Sequence, residues 1–252
     1  MHRIEFKTIK AGSILFLVFL FLGTSFALTE EEIQKSQTLL MKKPVGERIA
    51  FWVEKFIGTP YDQDPLGEYV SKAAIVVDER VDCMYLTFRA VELAISDTPA
   101  EGIQVALDKR FHTQGILKEG KVVNYEDRFE YGEDMIFSGK WGREITQEIG
   151  KPFGIKGSRG RSFVDIVSSH DLAKGRKKLK SGDIIFFIKN PEERKLEEIV
   201  GHIGIVKLEQ DQEPYLIHAS GTKERGGMVK KVLLKDYVSQ MPFIGVKITR
   251  ID

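Results

Sequence analysis

Cys83 is the only cysteine in the 252-residue chain, and its position favours a role as a nucleophile. It follows Asp82, a residue type that caps helices, and apolar residues recur at helical spacing from Met84 to Ile95. The thiol therefore falls in the first turn of a predicted helix, where free backbone N–H groups and the helix dipole favour a thiolate, so we expect a lowered pKa. The alternative is that Cys83 is a small buried apolar residue.

Two histidines are suited to activate such a thiol. A nucleophilic cysteine needs a base to take its proton and a third group to orient that base. His202 and His218 fall in predicted strands one hairpin apart, so we expect their side chains to pair across a sheet. A histidine in a strand is more commonly a hydrogen-bonded core residue, but two of them in a chain with a single cysteine favour catalysis.

Helices are predicted to precede a sheet. Capping residues and apolar periodicity predict helices that begin at Thr29, near Val45, at Cys83 and at Thr98, and a short extended segment is predicted at 73–77. Five strands are predicted in the second half of the chain, at 183–188, 203–206, 215–218, 229–233 and 243–248. Helices followed by an antiparallel sheet indicate an α+β fold.

Residues 1–27 are typical of a secretory signal peptide. Basic residues precede an apolar run from Ile14 to Leu22, and small residues precede the expected cleavage after Ala27. We therefore expect a periplasmic or secreted protein with no stable membrane association after cleavage; an uncleaved N-terminal anchor is the alternative. A formal net charge of +1 gives no reason to expect nucleic acid as a partner.

Residues 111–161 form a long stretch in which helical periodicity weakens while Gly, Arg, Tyr and Trp accumulate. Irregular stretches of this length are commonly functional rather than simple connections. Arg128, Tyr131 and Asp134 have side chains suited to holding a sugar or a carboxylate, so we expect them to contact a substrate. The alternative is a solvated surface insertion.

Five motifs, taken in order, resemble those of the NlpC-type papain-like cell-wall cysteine peptidases. They are Gly-Thr-Pro-Tyr at 58–61, Asp-Cys at 82–83, Ser-Gly-Asp-Ile-Ile-Phe-Phe at 181–187, Gly-His-Ile-Gly-Ile-Val at 201–206 and Ile-His-Ala-Ser at 217–220. The resemblance implies a papain-like NlpC fold, in which N-terminal helices, including a central cysteine-bearing helix, pack on a C-terminal antiparallel sheet. It also implies a single catalytic domain over 28–252, with a substrate-binding insertion at 111–161.

The resemblance implies Cys83 as the nucleophile, His202 as the base and His218 as the residue that orients the base. Tyr61 would contribute its hydroxyl near the thiol and complete an oxyanion hole with the backbone N–H of Cys83. The chain departs from the commonest family pattern at two points. Met84 replaces a small hydroxyl residue after the cysteine, and Asp-Gln-Asp-Pro rather than a glycine pair follows Tyr61.

The insertion is similar to that of the N-acetylmuramoyl-L-alanine amidase-like branch of the family. This similarity implies a hydrolase that cleaves the bond between N-acetylmuramic acid, or its anhydro form, and L-alanine of the peptidoglycan stem peptide. Its partners would be muropeptides, and it would need no metal or other cofactor.

Other functions stay open at this stage. One is an endopeptidase of the same fold that cleaves between γ-D-glutamate and the diamino acid, and another is a non-catalytic module that binds the cell wall. A zinc hydrolase that uses both histidines and Asp183 lacks a typical ligand spacing. The sequence gives no indication of oligomeric state.

Overall fold

A computed structural model describes residues 28–194, 197–222 and 225–252; the predicted signal peptide lies outside them. The α-helices are α1 (Glu30–Leu40), α2 (Val45–Lys55), α3 (Glu68–Ser71), α4 (Cys83–Ile95), α5 (Pro99–Lys109), α6 (Gly132–Ser138), α7 (Thr146–Ile149), α8 (Ser169–Gly175) and α9 (Leu234–Gln240). The β-strands are β1 (Leu117–Lys118), β2 (Lys121–Val122), β3 (Arg143–Glu144), β4 (Pro152–Lys156), β5 (Phe163–Ser168), β6 (Ile184–Ile188), β7 (Val200–Leu208), β8 (Pro214–Thr222), β9 (Gly226–Leu233) and β10 (Gly245–Arg250).

The main sheet is antiparallel throughout. Its strands follow the order β4-β5-β10-β6-β7-β8-β9, and β3 also pairs with β10. β1 and β2 form a separate hairpin. The five strands predicted in the second half of the chain are all present, and the four predicted helices precede them. The α+β class is therefore confirmed.

The central helix is α4, and its sequence explains where it begins. The Asp82 carboxylate accepts the N–H of Tyr85 at 2.6 Å and caps the first turn. Every residue from Tyr85 to Ala94 is buried, because α4 packs against α2, α5, β7 and β8. Cys83 is the first residue of this helix, at the end where the backbone N–H groups are free.

Apolar side chains cover both faces of the sheet. The larger cluster joins α2 and α4 to the face of β7 that carries Ile203 and Ile205. The smaller cluster joins Val206 and Leu216, on the opposite face, to apolar side chains of α9. Because side chains alternate along a strand, His202 shares the α9 face with Val206.

Two arginine–carboxylate pairs are buried beside α4. Arg89 donates to both oxygens of Asp78, each at 2.9 Å, and Arg110 donates to both oxygens of Glu92 at 2.6 and 2.7 Å. Each of the four side chains is at most 3% exposed. Buried charges are tolerated only when they are paired and hydrogen-bonded, so these pairs fix α4 against the end of α5 and the preceding loop.

The strand predicted at 73–77 is wrong. Ala73 has a φ of 49°, which is not extended, its carbonyl accepts the N–H of Val122 at 2.9 Å, and side chains bind two of the backbone groups that follow. The Tyr85 hydroxyl accepts the N–H of Val77 at 2.6 Å, and the Tyr125 hydroxyl donates to the carbonyl of Ala74 at 2.7 Å. The apolar composition of residues 73–77 is typical of a strand, but their backbone does not pair with another strand in a ladder.

Several elements were not predicted from the sequence, among them β4, β5, α8 and α9. β3 and β4 fall within 111–161 and join the main sheet, so that stretch contributes to the fold as well as to its surface. Within the described ranges, no helix has the length and apolar character needed to cross a membrane.

Removing the Glu92 carboxylate, which binds Arg110 and also lies 3.6 Å from the Arg89 guanidinium, tests the contribution of the buried ion pairs to stability. We expect Glu92→Ala to lower the free energy of unfolding by about 3 to 5 kcal/mol, because it leaves Arg110 buried without its partner. Glu54→Ala is the control, since Glu54 pairs with Lys207 and Lys231 at the surface and its loss should cost about 1 kcal/mol or less. Urea unfolding measures both, and equal losses would contradict the assignment.

Candidate active site

The Cys83 thiol lies where α4 meets β7. Its side chain is half-buried, and the backbone N–H of Ile203, the residue after His202, lies close enough to lower its pKa. The N–H groups of Cys83 and Met84 also favour the thiolate. The structure thus brings the cysteine alongside the strand that carries the first histidine.

The two histidines pair across the sheet as predicted. Nε2 of His202 and Nδ1 of His218 are 2.7 Å apart, a hydrogen bond between adjacent strands β7 and β8. Gly204 makes this possible, because a Cβ at that position would lie 2.6 Å from a side-chain carbon of Leu216 and 3.3 Å from Cβ of His218.

Aromatic rings enclose the histidine pair. Phe187 stacks on His202 with 5.9 Å between centroids, and Phe243 lies nearly parallel to it at 6.5 Å. Tyr237 of α9 contacts His218 edge to face at 4.9 Å. Burial in this aromatic box lowers the pKa of His202 to about 3 and that of His218 to about 4, so both rings are neutral at neutral pH.

The expected lowering of the Cys83 pKa is wrong. Burial, followed by the adjacent Asp82 carboxylate, raises the pKa of this thiol to about 12, although the backbone N–H groups of Ile203, Cys83 and Met84 act to lower it. The pKa of Asp82 is itself raised to about 6, chiefly by burial. The helix start supplies the favourable groups that the sequence implied, but desolvation is larger. At rest the thiol and both imidazoles are therefore neutral.

Backbone hydrogen bonds hold the segment that carries Tyr61 between β9 and the residues just before α4. Its N–H donates to the carbonyl of Gly227 in β9 at 2.8 Å, and the next N–H, from Asp62, donates to Val81 at 2.9 Å. Its ring packs over Gly221, where a Cβ would lie 2.5 Å from the ring. Burial, followed by the proximity of Cys83, raises the pKa of Tyr61 to about 12, which keeps its hydroxyl protonated as a hydrogen-bond donor.

Tyr131 and Asp134 lie at the start of α6, which packs beside β7. The Asp134 carboxylate accepts the N–H groups of Glu130 and Tyr131 at 3.1 and 3.0 Å, and Arg159 donates to its other oxygen at 3.0 Å. Its oxygens are thus engaged within the protein. The ring of Tyr131 carries the Arg159 guanidinium 4.1 Å from its centroid.

Arg128 is held by neighbours in its own loop. It donates to the carbonyl of Tyr125 at 3.0 Å and pairs with Glu130 at 3.3 Å. The binding of a substrate by Arg128, Tyr131 and Asp134 therefore stays a prediction. Tyr131 and Asp134 lie beside β7, the strand that carries His202, and Arg128 lies earlier in the same loop.

Glu133 is a residue that the sequence analysis missed. Its buried carboxylate accepts the N–H groups of Ile199 and Val200 at 3.1 and 3.3 Å, just before His202 in the chain. It therefore fixes the start of β7. Its partners lie more than 60 residues away, so the local sequence carries no signal for this contact.

Tyr237 is the second residue that was missed. Its ring contacts His218, His202 and Phe187, and its pKa is raised by burial and by the proximity of Cys83. The spacing of apolar residues from Leu234 to Met241 is helical and could have identified α9.

The third ligand of the zinc alternative lies elsewhere. Asp183 accepts two hydrogen bonds from Arg250, at 2.6 and 2.7 Å, rather than approaching the histidines. In the part of the chain that the structure describes, no three His, Cys, Asp or Glu side chains converge on a common metal position.

The fold is shared with known proteins, although no family model and no curated protein matches the sequence. An N-acetylmuramoyl-L-alanine amidase from Bacteroides uniformis has a TM-score of 0.62 and 19% identity, over 82% of this chain and 99% of that one. A Legionella pneumophila protein of the family DUF1460 has a TM-score of 0.66 and 17% identity, over 87% and 93%. A candidate xylanase from Bacteroides fragilis has a TM-score of 0.59 and 19% identity, over 80% and 100%.

Removing the charge of Asp82 should make the thiol more reactive. Asp82→Asn keeps an N-cap acceptor for Tyr85 but removes a carboxylate that is ionised at pH 8, so we expect the pKa of Cys83 to fall. The rate of alkylation by iodoacetamide at pH 8 should rise several-fold. Asp108→Asn, which removes an exposed carboxylate from α5, should leave the rate unchanged. An unchanged rate in a folded Asp82→Asn protein would contradict the assignment.

The neutral histidine pair should make stability depend on pH. Both folded-state pKa values lie below the unfolded value of about 6.5, so between pH 6.5 and 4 the unfolded chain binds more protons and stability falls with falling pH. Replacing His218 by Asn should weaken this dependence, whereas His170→Asn, at an exposed position, should not. Urea unfolding at pH 7.5 and 5.0 measures the difference; identical dependence in all three proteins would refute the buried neutral pair.

Proposed function

We propose that the chain is an exported cysteine amidase with a papain-like NlpC fold. It hydrolyses the amide between N-acetylmuramic acid, in its ordinary or anhydro form, and L-alanine of the peptidoglycan stem peptide. The observation that carries the proposal is a free thiol at the start of α4, which packs on β7, together with the hydrogen-bonded His202–His218 pair that begins on that strand. The shared fold with an amidase supports the reaction class.

The hydrogen bond between the histidines assigns their tasks in this mechanism. If His202 donates its Nε2 proton to Nδ1 of His218, its own Nδ1 is left free to accept a proton from Cys83. His218 therefore acts by fixing the tautomer and the ring orientation of the base. Because the thiol and the imidazole are both neutral at rest, proton transfer accompanies attack on the carbonyl rather than preceding it.

The remaining steps follow from the same groups. Sulfur attacks the lactyl carbonyl carbon, and the Tyr61 hydroxyl and the Cys83 backbone N–H stabilise the negative oxygen of the tetrahedral intermediate. Protonated His202 then gives its proton to the departing amine of L-alanine, which leaves a thioester. Water, deprotonated by His202, hydrolyses the thioester and regenerates the thiol.

Export is part of the proposal and rests on the sequence of residues 1–27, which has the basic, apolar and small-residue regions of a signal peptide. A periplasmic or secreted enzyme would meet its substrate outside the cytoplasm. Muropeptides are the proposed partners, and the chemistry described needs no metal or other cofactor.

Product analysis with defined muropeptides tests the function. We expect the purified protein to release intact tripeptide from muramoyl-tripeptide or its anhydro form, and to leave free tripeptide untouched. Cys83→Ser and His202→Ala should each lower kcat/KM by about 1,000-fold or more, because each removes a reacting group. His170→Ala, at an exposed position, serves as the matched control.

Mass spectrometry distinguishes the outcomes. Cleavage of free tripeptide between γ-D-glutamate and the diamino acid would replace the amidase by an endopeptidase of the same fold. Wild-type turnover by folded Cys83→Ser would refute the cysteine mechanism, and an absence of any cysteine-dependent product would favour a wall-binding module.

A further inference from the structure

A basic pocket opens next to the start of β7. It is a cavity of about 600 Å³ between the β4–β5 turn and the loop that precedes β7. Among the residues that the structure describes, four basic side chains line it, and we use the name basic pocket for the site they form: Lys156, Arg159, Arg161 and Arg194. Glu197 is the single acidic residue in the described part of its lining.

The positive charge of the basic pocket is poorly compensated. Among the described residues, Lys156, Arg161 and Arg194 have no carboxylate within 4 Å of their charged nitrogens, whereas Arg159 pairs with Asp134 at 3.0 Å. Within the described ranges, the guanidinium of Arg194 donates only to backbone carbonyls, and its buried Nε has no partner. An anion bound in the basic pocket would balance this positive charge.

The aromatic neighbours of the pocket suit an anion as well. The Arg161 guanidinium lies 3.7 Å from the centroid of the Phe137 ring, and that of Arg159 lies over Tyr131. A guanidinium held flat on an aromatic face keeps its N–H edge free to bind a carboxylate with two parallel hydrogen bonds. The rings thus orient the cations without neutralising them.

A series of packed residues links the basic pocket to β7, the strand on which the helix that begins at Cys83 packs. Arg159 packs on Tyr131 at the start of α6, and the next residue, Gly132, packs so closely on Val200 that a Cβ there would lie 2.6 Å from its side chain. The same Cβ would lie 3.2 Å from a side-chain carbon of Ile203, whose backbone N–H acts to lower the pKa of the Cys83 thiol. The start of β7 therefore contacts residues that belong to both sites.

We propose that the basic pocket binds the free carboxylates of the substrate's peptide stem and thereby selects stems whose acid groups are unmodified. The inference rests on the proposed function, because the stem must extend from the cleaved amide at Cys83. A stem that contains γ-linked D-glutamate and a diamino acid keeps several carboxylates after the scissile bond. The pocket would hold them as the cell-wall polymer or fragment is positioned for attack.

Matched substrates and variants test the proposal. The double variant Lys156→Gln, Arg161→Gln removes two pocket charges, and the double variant Lys174→Gln, Lys177→Gln removes two exposed charges from a basic run elsewhere. Each protein is assayed on muramoyl-tripeptide with free carboxylates and on the same compound with carboxamides. For the wild type we expect a KM that is about tenfold lower on the free acid.

The expected pattern is specific to the pocket. The pocket variant should raise KM on the free acid by about tenfold, with most of the loss in KM rather than kcat, and should remove the preference over the carboxamide. The control variant should behave as the wild type does. Equal wild-type KM values for the two substrates, or equal losses on both in the pocket variant, would overturn the proposal.

Failure of the pocket and failure of the proposed function are distinguishable. If the wild type cleaves neither substrate, the amidase proposal fails, and calorimetric titration of the free tripeptide and its carboxamide then tests the pocket by itself. Tighter binding of the free acid that is lost in the pocket variant supports the site. Equal affinity for the two peptides, or no binding of either, overturns it.

Discussion

The 2.7 Å hydrogen bond between His202 and His218 sets the demands that the surrounding structure meets. The two rings meet because β7 and β8 are antiparallel neighbours. The register of β7 against β8 is fixed in turn by the apolar residues that alternate with the histidines along each strand. Gly204 must lack a side chain, and aromatic rings must exclude water that would compete for the shared proton. This hydrogen bond therefore depends on the sheet, on the smaller apolar cluster and on α9 as well as on the two imidazoles.

The environment of the thiol differs from the one that a helix start implies by itself. Free N–H groups favour a thiolate, yet burial and Asp82 outweigh them. A site with a neutral thiol and neutral bases becomes reactive only when a substrate carbonyl is bound. The thiol proton then passes to the imidazole as the sulfur forms a bond to the carbonyl carbon. Such a site is protected from adventitious alkylating or oxidising agents, which attack thiolates far faster than thiols.

Local sequence was sufficient for some features and not for others. The cap of α4, the strands of the second half and the pairing of the histidines depend on short-range patterns, which the sequence displays directly. The segment at 73–77 has the composition of a strand, but Tyr85 and Tyr125 take the backbone groups that a strand would use. Glu133 and Tyr237 reach the site through contacts distant in sequence, so spacing could have indicated the helix that carries Tyr237 but not the contacts of either residue. The pKa of the thiol depends on burial, which local spacing does not give.

The segment that presents Tyr61 also has a consequence for the edge of the sheet. β9 is an outer strand, and its free side would expose a row of unpaired N–H and carbonyl groups. Gly58 and Tyr61 donate to the carbonyls of Val229 and Gly227, and the Val229 N–H donates to the carbonyl of Thr59. Part of the edge of β9 therefore cannot pair with a strand from another molecule. The segment that positions a candidate catalytic hydroxyl thus also protects the protein from edge-to-edge aggregation.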